Sequence, residues 1–242
     1  MILDRNELFY LTQLGGYRIV NHQLRKRLLI DLTLRHFPAG AMLADIGCAA
    51  GDLSMELQAL GYRMTGIDFE PERMARAGEV AAKHELNVRF LNQDLRNVSR
   101  AEEFDGMIMG EVLEHFSQPR AILEQHLPLL KVGGKIIVTV PNMVNLRARF
   151  KVFFFGQFAD HNPQHLYYFT HRRFIEHFQG VPIEILEIFS FLVEVTLPRH
   201  ETLARVERLV LSPLRLVAPW CGSHLVAVLK KIPPATGESG TK

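Results

Sequence analysis

Apolar and polar positions alternate along this chain in two distinct periods. Between His22 and His36, Leu24, Leu28, Leu32 and Leu34 recur among basic residues at near-helical spacing, which predicts an N-terminal helix over 22–36 laid on a core by one face. Pro38 and Gly40 end it. Short apolar runs then predict strands at 42–46, 62–67, 88–91, 104–109 and 135–140, with helical segments at 53–60, 71–83 and 119–130 between them. Pro71 opens its helix at the position where a missing N–H costs nothing. Strands that alternate with helices predict an α/β fold with a mostly parallel sheet covered on both faces. Such doubly wound sheets hold ligands in a crevice beyond the carboxyl ends of their strands.

After residue 141 the alternation loosens. Segment 146–158 interrupts it, and Thr170 is placed to cap a helix through Phe178. Residues 183–195 suit a strand with an extension, 201–211 read as helical before Pro213, and 225–229 read as a final strand. We expect one domain over 1–232, with a lid insertion at 142–182 in the C-terminal half and a flexible polar tail at 233–242.

Composition narrows the class. The 242 residues are 48% apolar and carry a formal charge of +2, which describes a folded protein and gives no general argument for nucleic acid. Two cysteines, Cys48 and Cys221, argue against a disulfide framework and point to the reducing cytoplasm. The first ten residues carry Asp4, Arg5 and Glu7 rather than the apolar centre of a signal peptide. No run reaches membrane-spanning length. The apolar stretch 152–155, beside Arg147, Arg149 and Lys151, suits core, a substrate lid or a shallow membrane contact.

The turn after the first strand holds the main chemical signal. Residues 45–51 read D-I-G-C-A-A-G, where small residues let a ligand approach the backbone. The helix that follows opens with unpaired N–H groups. A dinucleotide site would read G-x-G-x-x-G, and a phosphate-cradling loop would continue with Lys and Ser or Thr; neither pattern is present. A nicotinamide-dependent oxidoreductase is therefore disfavoured.

The same residues resemble the first motif of class I S-adenosylmethionine-dependent methyltransferases, in which an acidic residue precedes G-x-G-x-G and Ala49 here replaces the middle glycine. The likeness runs over 42–141 through G-I-D-F at 66–69, N-Q-D-L at 92–95 and F-D-G-M-I-M-G-E-V-L-E-H from Phe104. It implies a Rossmann-like sheet of seven strands with the last antiparallel, 42–141 as the cofactor-binding core, and S-adenosylmethionine as cofactor. Asp45 would then orient the methionine amino end, and Gly47, Cys48, Ala49 and Gly51 would form the turn around it. Asp68, followed by Phe69, could accept both ribose hydroxyls, and Asp94 could receive the adenine amino group beside the Leu95 backbone. Met109 and Gly110 would line the next strand end.

Segment 111–115 follows the fourth strand, so it is expected at the crevice. Glu111 and Glu114 share a face if the segment turns helically, with His115 adjacent, and could serve in acid–base chemistry or as cation ligands. E-x-x-E-H is similar to metal-binding motifs of quinone-biosynthesis O-methyltransferases and of small-RNA 3′-terminal 2′-O-methyltransferases. That resemblance implies Glu111, Glu114 and His115 as ligands to Mg2+ or another divalent cation, and His165 resembles the RNA group's fourth ligand. Without a metal, Glu111, His115 and His165 are candidate catalytic residues.

H-L-Y-Y-F-T at 165–170 looks like the segment that follows the core in methyltransferases acting on lipids, glycans and other metabolites. His161, Tyr167 and Tyr168 are candidate substrate contacts there, and Asn142, after Pro141, offers an amide. The expected activity is methyl transfer to a small-molecule acceptor, aromatic, lipid-linked or glycan-like, at oxygen. The alternatives are a metal-dependent RNA ribose 2′-O-methyltransferase and a noncatalytic cofactor-binding or scaffold protein. Stable transmembrane insertion is not expected.

Overall fold

The computed structural model describes residues 17–97, 104–156, 162–191 and 222–233. In chain order these form α1 (Tyr17–His36), β1 (Met42–Ile46), α2 (Asp52–Ala59), β2 (Arg63–Asp68), α3 (Pro71–Lys83), β3 (Arg89–Asn92), β4 (Phe104–Gly110), α4 (Pro119–His126), β5 (Leu130–Pro141), α5 (Leu146–Phe155), α6 (His171–His177), β6 (Ile183–Phe191) and β7 (His224–Lys231). One seven-stranded sheet runs in the order β3-β2-β1-β4-β5-β7-β6. Its pairs from β3 to β5 are parallel. β7 inserts antiparallel between β5 and β6, pairing Val140 with Leu225 and Phe191 with His224. This is the expected Rossmann-like arrangement, with the strand order reversing between β1 and β4 at the crevice.

Side chains on successive strand residues point to opposite faces, so each central strand serves two cores. Ala44, Met107, Met109, Ile136, Val138, Leu225 and Ala227 pack in one core with Leu123, Leu127, Phe174 and Phe178. The intervening Leu43, Ile108, Ile137, Val226 and Val228 pack on the other side with Leu29, Leu32, Leu53 and Leu57. The near-continuous apolar runs therefore follow from burial on both faces.

Several boundaries differ from those predicted. α1 is already helical at Tyr17, five residues ahead of the predicted His22. The helix expected over 119–130 ends at His126 and passes into a tighter turn at Leu127–Leu129, where Pro128 has no N–H to continue the ladder. Segment 146–158 contains a helix, α5. Thr170 caps α6 as expected, its hydroxyl accepting the Arg173 N–H at 3.1 Å. His161, the helix expected at 201–211, the extension 192–195, Cys221 and residues 234–242 lie outside the described residues.

Candidate active site

The turn leaving β1 winds through left-handed backbone, with φ of 69° at Gly47, 48° at Ala49 and 73° at Gly51. A Cβ on Gly47 would lie 2.6 Å from Val112 Cγ2, and one on Gly51 2.5 Å from Phe90 Cε1, so space and φ both require glycine. Ala49 adopts the same region with a side chain, at a cost of about 1–2 kcal/mol. The N–H groups of Gly47 and Cys48 donate to the Ile67 carbonyl at 2.8 and 3.1 Å, tying the turn to the end of β2. The Cys48 side chain turns away toward Met74, Sγ to Sδ 3.9 Å, and burial pushes its thiol well above the ordinary range. The Cys48 backbone is likewise committed within the turn, its carbonyl accepting the Gly51 N–H at 2.8 Å.

Asp68 ends β2 against this turn. One carboxylate oxygen accepts the Ala49 N–H at 2.9 Å and the other the Glu70 N–H at 3.1 Å. A carboxylate has about four acceptor sites, so Asp68 keeps capacity for a ligand's hydroxyl groups. Asp45, buried beneath, accepts the Ser54 hydroxyl at 2.7 Å. Burial raises its carboxyl to about 7; the Ser54 hydrogen bond opposes that rise and the charges of Asp52 and Asp68 add to it. Phe69 stands exposed beyond β2, and Leu95 is buried close to Gly47.

The other strand ends are less open than expected. Both Asp94 oxygens accept hydrogen bonds from the Arg96 guanidinium, at 2.7 to 3.1 Å, which hold the carboxyl below its ordinary range. Arg96 thus competes for the role assigned to the adenine amino group. The Met109 side chain belongs to the α4/α6 core, leaving its backbone for the crevice. At Gly110 a Cβ would meet Leu29 Cδ1 at 3.3 Å, so α1 closes against this strand end.

Two charged clusters flank the turn. In the first, Lys26 of α1 contacts Asp52 at 3.1 Å and Glu56 at 3.3 Å, and His22 contacts Asp52 at 2.8 Å. Burial would raise the Asp52 carboxyl, but His22 and Lys26 outweigh it and hold it well below the usual range. Sequence reading missed this cluster. His22 and Lys26 do lie four apart on the predicted helix and so share a face, but nothing local pointed that face at Asp52.

Glu111 anchors the second link to α1. Its backbone has φ of 58°, and its carboxylate lies 3.3 Å from His224 Nε2 and 3.9 Å from Arg25 Nη1. Burial would raise this carboxyl too; His224, then Arg25 and Thr139, prevail and lower it. The four-ligand grouping is thereby divided, since Glu111 sits with Arg25 and His224.

Glu114, His115 and His165 do converge, with one candidate ligand atom from each all within 4.8 Å of one another. Glu114 is buried, and its carbonyl accepts the N–H groups of Leu166 and Tyr167 at 2.8 and 3.0 Å, which draws the two segments together. The His115 and His165 rings meet edge to face, centroids 5.0 Å apart. His115 Nδ1 lies 3.1 Å from the Gln164 carbonyl oxygen, and His165 Nε2 lies 2.9 Å from the Asn162 amide. The set can hold a cation of mixed nitrogen and oxygen preference, or present imidazole nitrogens to a substrate proton.

Two expected substrate contacts are committed to the protein. Asn142 is buried; its amide donates to the Gly222 carbonyl at 2.8 Å and accepts the Val144 N–H at 3.3 Å. The Tyr167 hydroxyl meets His177 Nδ1 at 3.0 Å, with Arg173 over its ring at 4.8 Å, so it braces α6. Tyr168 is half-buried in the same segment.

A family model described as a methyltransferase domain matches residues 39–170. A ubiquinone biosynthesis O-methyltransferase of Xanthomonas axonopodis pv. citri is 33% identical over 123 residues, covering 50% of this chain and 52% of that protein. The chain thus spans about half the length of the curated relatives it matches. Magnesium protoporphyrin IX methyltransferase from Synechocystis PCC 6803, solved with bound S-adenosylhomocysteine, superposes with a TM-score of 0.62 at 15% identity, over 88% of this chain and 84% of that one. The N-methyltransferase NodS from Bradyrhizobium japonicum WM9 gives a TM-score of 0.59 at 19% identity, over 88% of each chain. At these identities the two structures speak for the fold.

Proposed function

From the premise that the chain belongs to the methyltransferase-domain family, we propose that it transfers a methyl group from S-adenosylmethionine to a hydroxyl oxygen of a small-molecule acceptor. The observation that carries this is the pairing of Asp68 with the left-handed turn at Gly47, Ala49 and Gly51. The residues fit the cofactor: Asp68 has acceptor capacity for ribose hydroxyls, Asp45 is an acid beneath the turn for an ammonium group, and the glycines leave backbone accessible. The cofactor supplies an electrophilic methyl on a sulfonium centre. An acceptor hydroxyl must shed its proton, and the His115 and His165 imidazoles, both partly exposed, are the groups that would take it. The name of the Xanthomonas relative favours oxygen as the acceptor atom. Aromatic, lipid-linked and glycan-like hydroxyls all suit this reading.

A second reading adds a divalent cation at Glu114, His115 and His165, supported by their convergence within 4.8 Å. One carboxylate and two imidazoles suit a zinc- or manganese-like ion better than Mg2+, which prefers oxygen. Such an ion would lower the proton affinity of a coordinated hydroxyl. It would be expected to leave Glu111 with Arg25 and His224.

Incubation with methyl-labelled cofactor and fractionated metabolite extracts, with RNA in parallel, tests the activity. Label in a small-molecule fraction supports the proposal; label confined to RNA selects the metal-dependent RNA reading. Saturable cofactor binding with no transfer to any fraction would leave a binding protein. Chelation that abolishes turnover, with recovery on added Mn2+ or Zn2+, supports the cation; full activity in the demetallated protein rejects it.

A further inference from the structure

α5 presents its aromatic residues outward. Phe153 is 82% exposed, Phe155 65%, Phe154 61% and Phe150 52%, whereas Ala148 is buried. Phe150, Phe153 and Phe154 are spaced three and four apart and so share one side of the helix, roughly opposite Ala148. Their rings pack on one another, with centroids of Phe150 and Phe154 4.4 Å apart and those of Phe153 and Phe154 4.9 Å apart. The patch is continuous and faces away from the core.

Charge decides what would cover it. The ten residues of α5 include Arg147, Arg149 and Lys151 and no acid; the next acid along the chain is Asp160. Exposed Arg149 is held at the base of the helix by donation from Nε to the Val144 carbonyl at 2.8 Å. An aromatic face with basic residues in the same short helix is the composition of a helix lying in a membrane interface, rings among the acyl chains and cations at the headgroups. Among the described residues no helix is long and apolar enough to cross a membrane, so the fitting geometry is parallel to the surface.

We propose that α5 docks this protein on an anionic lipid surface. The helix follows β5 at the carboxyl edge of the sheet, after the Pro141–Asn142 corner, so docking would bring that edge toward the bilayer. The inference rests on the exposed helix and is independent of methyl transfer.

The test is co-sedimentation of the full chain with phosphatidylcholine vesicles, alone or mixed with phosphatidylglycerol. The protein should sediment with the mixed vesicles and be released by high salt. The triple variant F150S/F153S/F154S should lose more than about tenfold in partition. Arg149→Gln should lose about fivefold on anionic vesicles only. Unchanged thermal unfolding of both variants excludes misfolding. Failure to bind mixed vesicles, equal binding to neutral ones, or retention by the triple variant would overturn the proposal. So would a concentration-dependent dimer that the triple variant abolishes without any vesicle binding, since a second copy would then cover the face.

Discussion

Asp45 is displaced upward in its titration, against the usual trend of a hydrogen-bonded carboxylate. Its carboxyl is raised from 3.8 to about 7, first by burial. Between those values the unfolded chain is ionised while the folded one stays protonated, so this group makes stability fall as pH rises, by up to about 1.4 kcal/mol per pH unit. Urea unfolding of wild type and Asp45→Asn should therefore diverge between about pH 4 and 7, wild type weakening, and run parallel above. If Asp45 receives a ligand ammonium, S-adenosylhomocysteine should release a proton on binding near pH 6. Calorimetry in buffers of different ionisation enthalpy should detect it in wild type and not in Asp45→Asn; equal apparent enthalpies for wild type in all buffers would refute the role. Asp68→Ala should weaken the same ligand about 10- to 100-fold by loss of charged hydrogen bonds, and unchanged affinity would remove Asp68 from the site. Both acids were legible because they punctuate strand ends next to a motif. Asp94 was legible only by position, since nothing in N-Q-D-L shows that Arg96, two residues on, takes both its oxygens.

At the scale of elements, α1 is held over the turn that follows β1 by buried charge. Lys26 is 2% exposed and shared between Asp52 and Glu56, so Lys26→Met would take the buried cation from Glu56 and leave Asp52 with His22 alone. That should cost about 3–5 kcal/mol in chemical unfolding, and K26M/D52N/E56Q should recover most of it; a loss below about 1 kcal/mol in the single variant would show that the cluster does not hold α1. Asp52 and Glu111 have depressed folded values, so their contribution is complete above the ordinary carboxyl range and is lost as pH falls through the folded values. Acid unfolding should accordingly begin later in a variant lacking the Asp52 pairing, relative to its own neutral stability. The elements themselves were legible wherever apolar positions faced a core, as in α3, whose limits match the predicted 71–83. α5 escaped because its apolar side faces outward, so no core-facing stripe marked it as a helix. Arg25 and His224 escaped because only the packing of α1 and the insertion of β7 bring them to Glu111.

The whole molecule depends on β7, which comes last among the described elements and lies next to last in the sheet. Alternation of strands and helices made the parallel half readable; resemblance gave the antiparallel sense of β7 but not its place, since no local signal tells a final apolar run to pass between β5 and β6. Leu225, Val226, Ala227, Val228 and Leu229 are all nearly inaccessible and supply both cores. Lys231 Nζ donates to the carbonyls of Leu127 and Leu130 at 2.7 and 2.6 Å, and the Ile232 N–H to that of Pro182 at 3.0 Å, fastening the strand end. Removing residues 222–242 would strip pairing from β5 and β6 together and leave the buried edge at Ile136 to Val140 open to other chains. Each lost Leu or Val side chain forfeits about 1.5–3 kcal/mol of burial, so Leu225, Val226, Val228 and Leu229 together forfeit about 6–12 kcal/mol, comparable to the 5–15 kcal/mol that stabilises a typical domain. The chain ending at residue 221 should be insoluble or lack a cooperative thermal transition. The chain ending at Pro233 retains every β7 pairing and should melt like the full-length protein. A monomeric, cooperatively folded 1–221 that binds S-adenosylhomocysteine would show that the parallel half stands alone, and that β7 serves chiefly to carry His224 to Glu111.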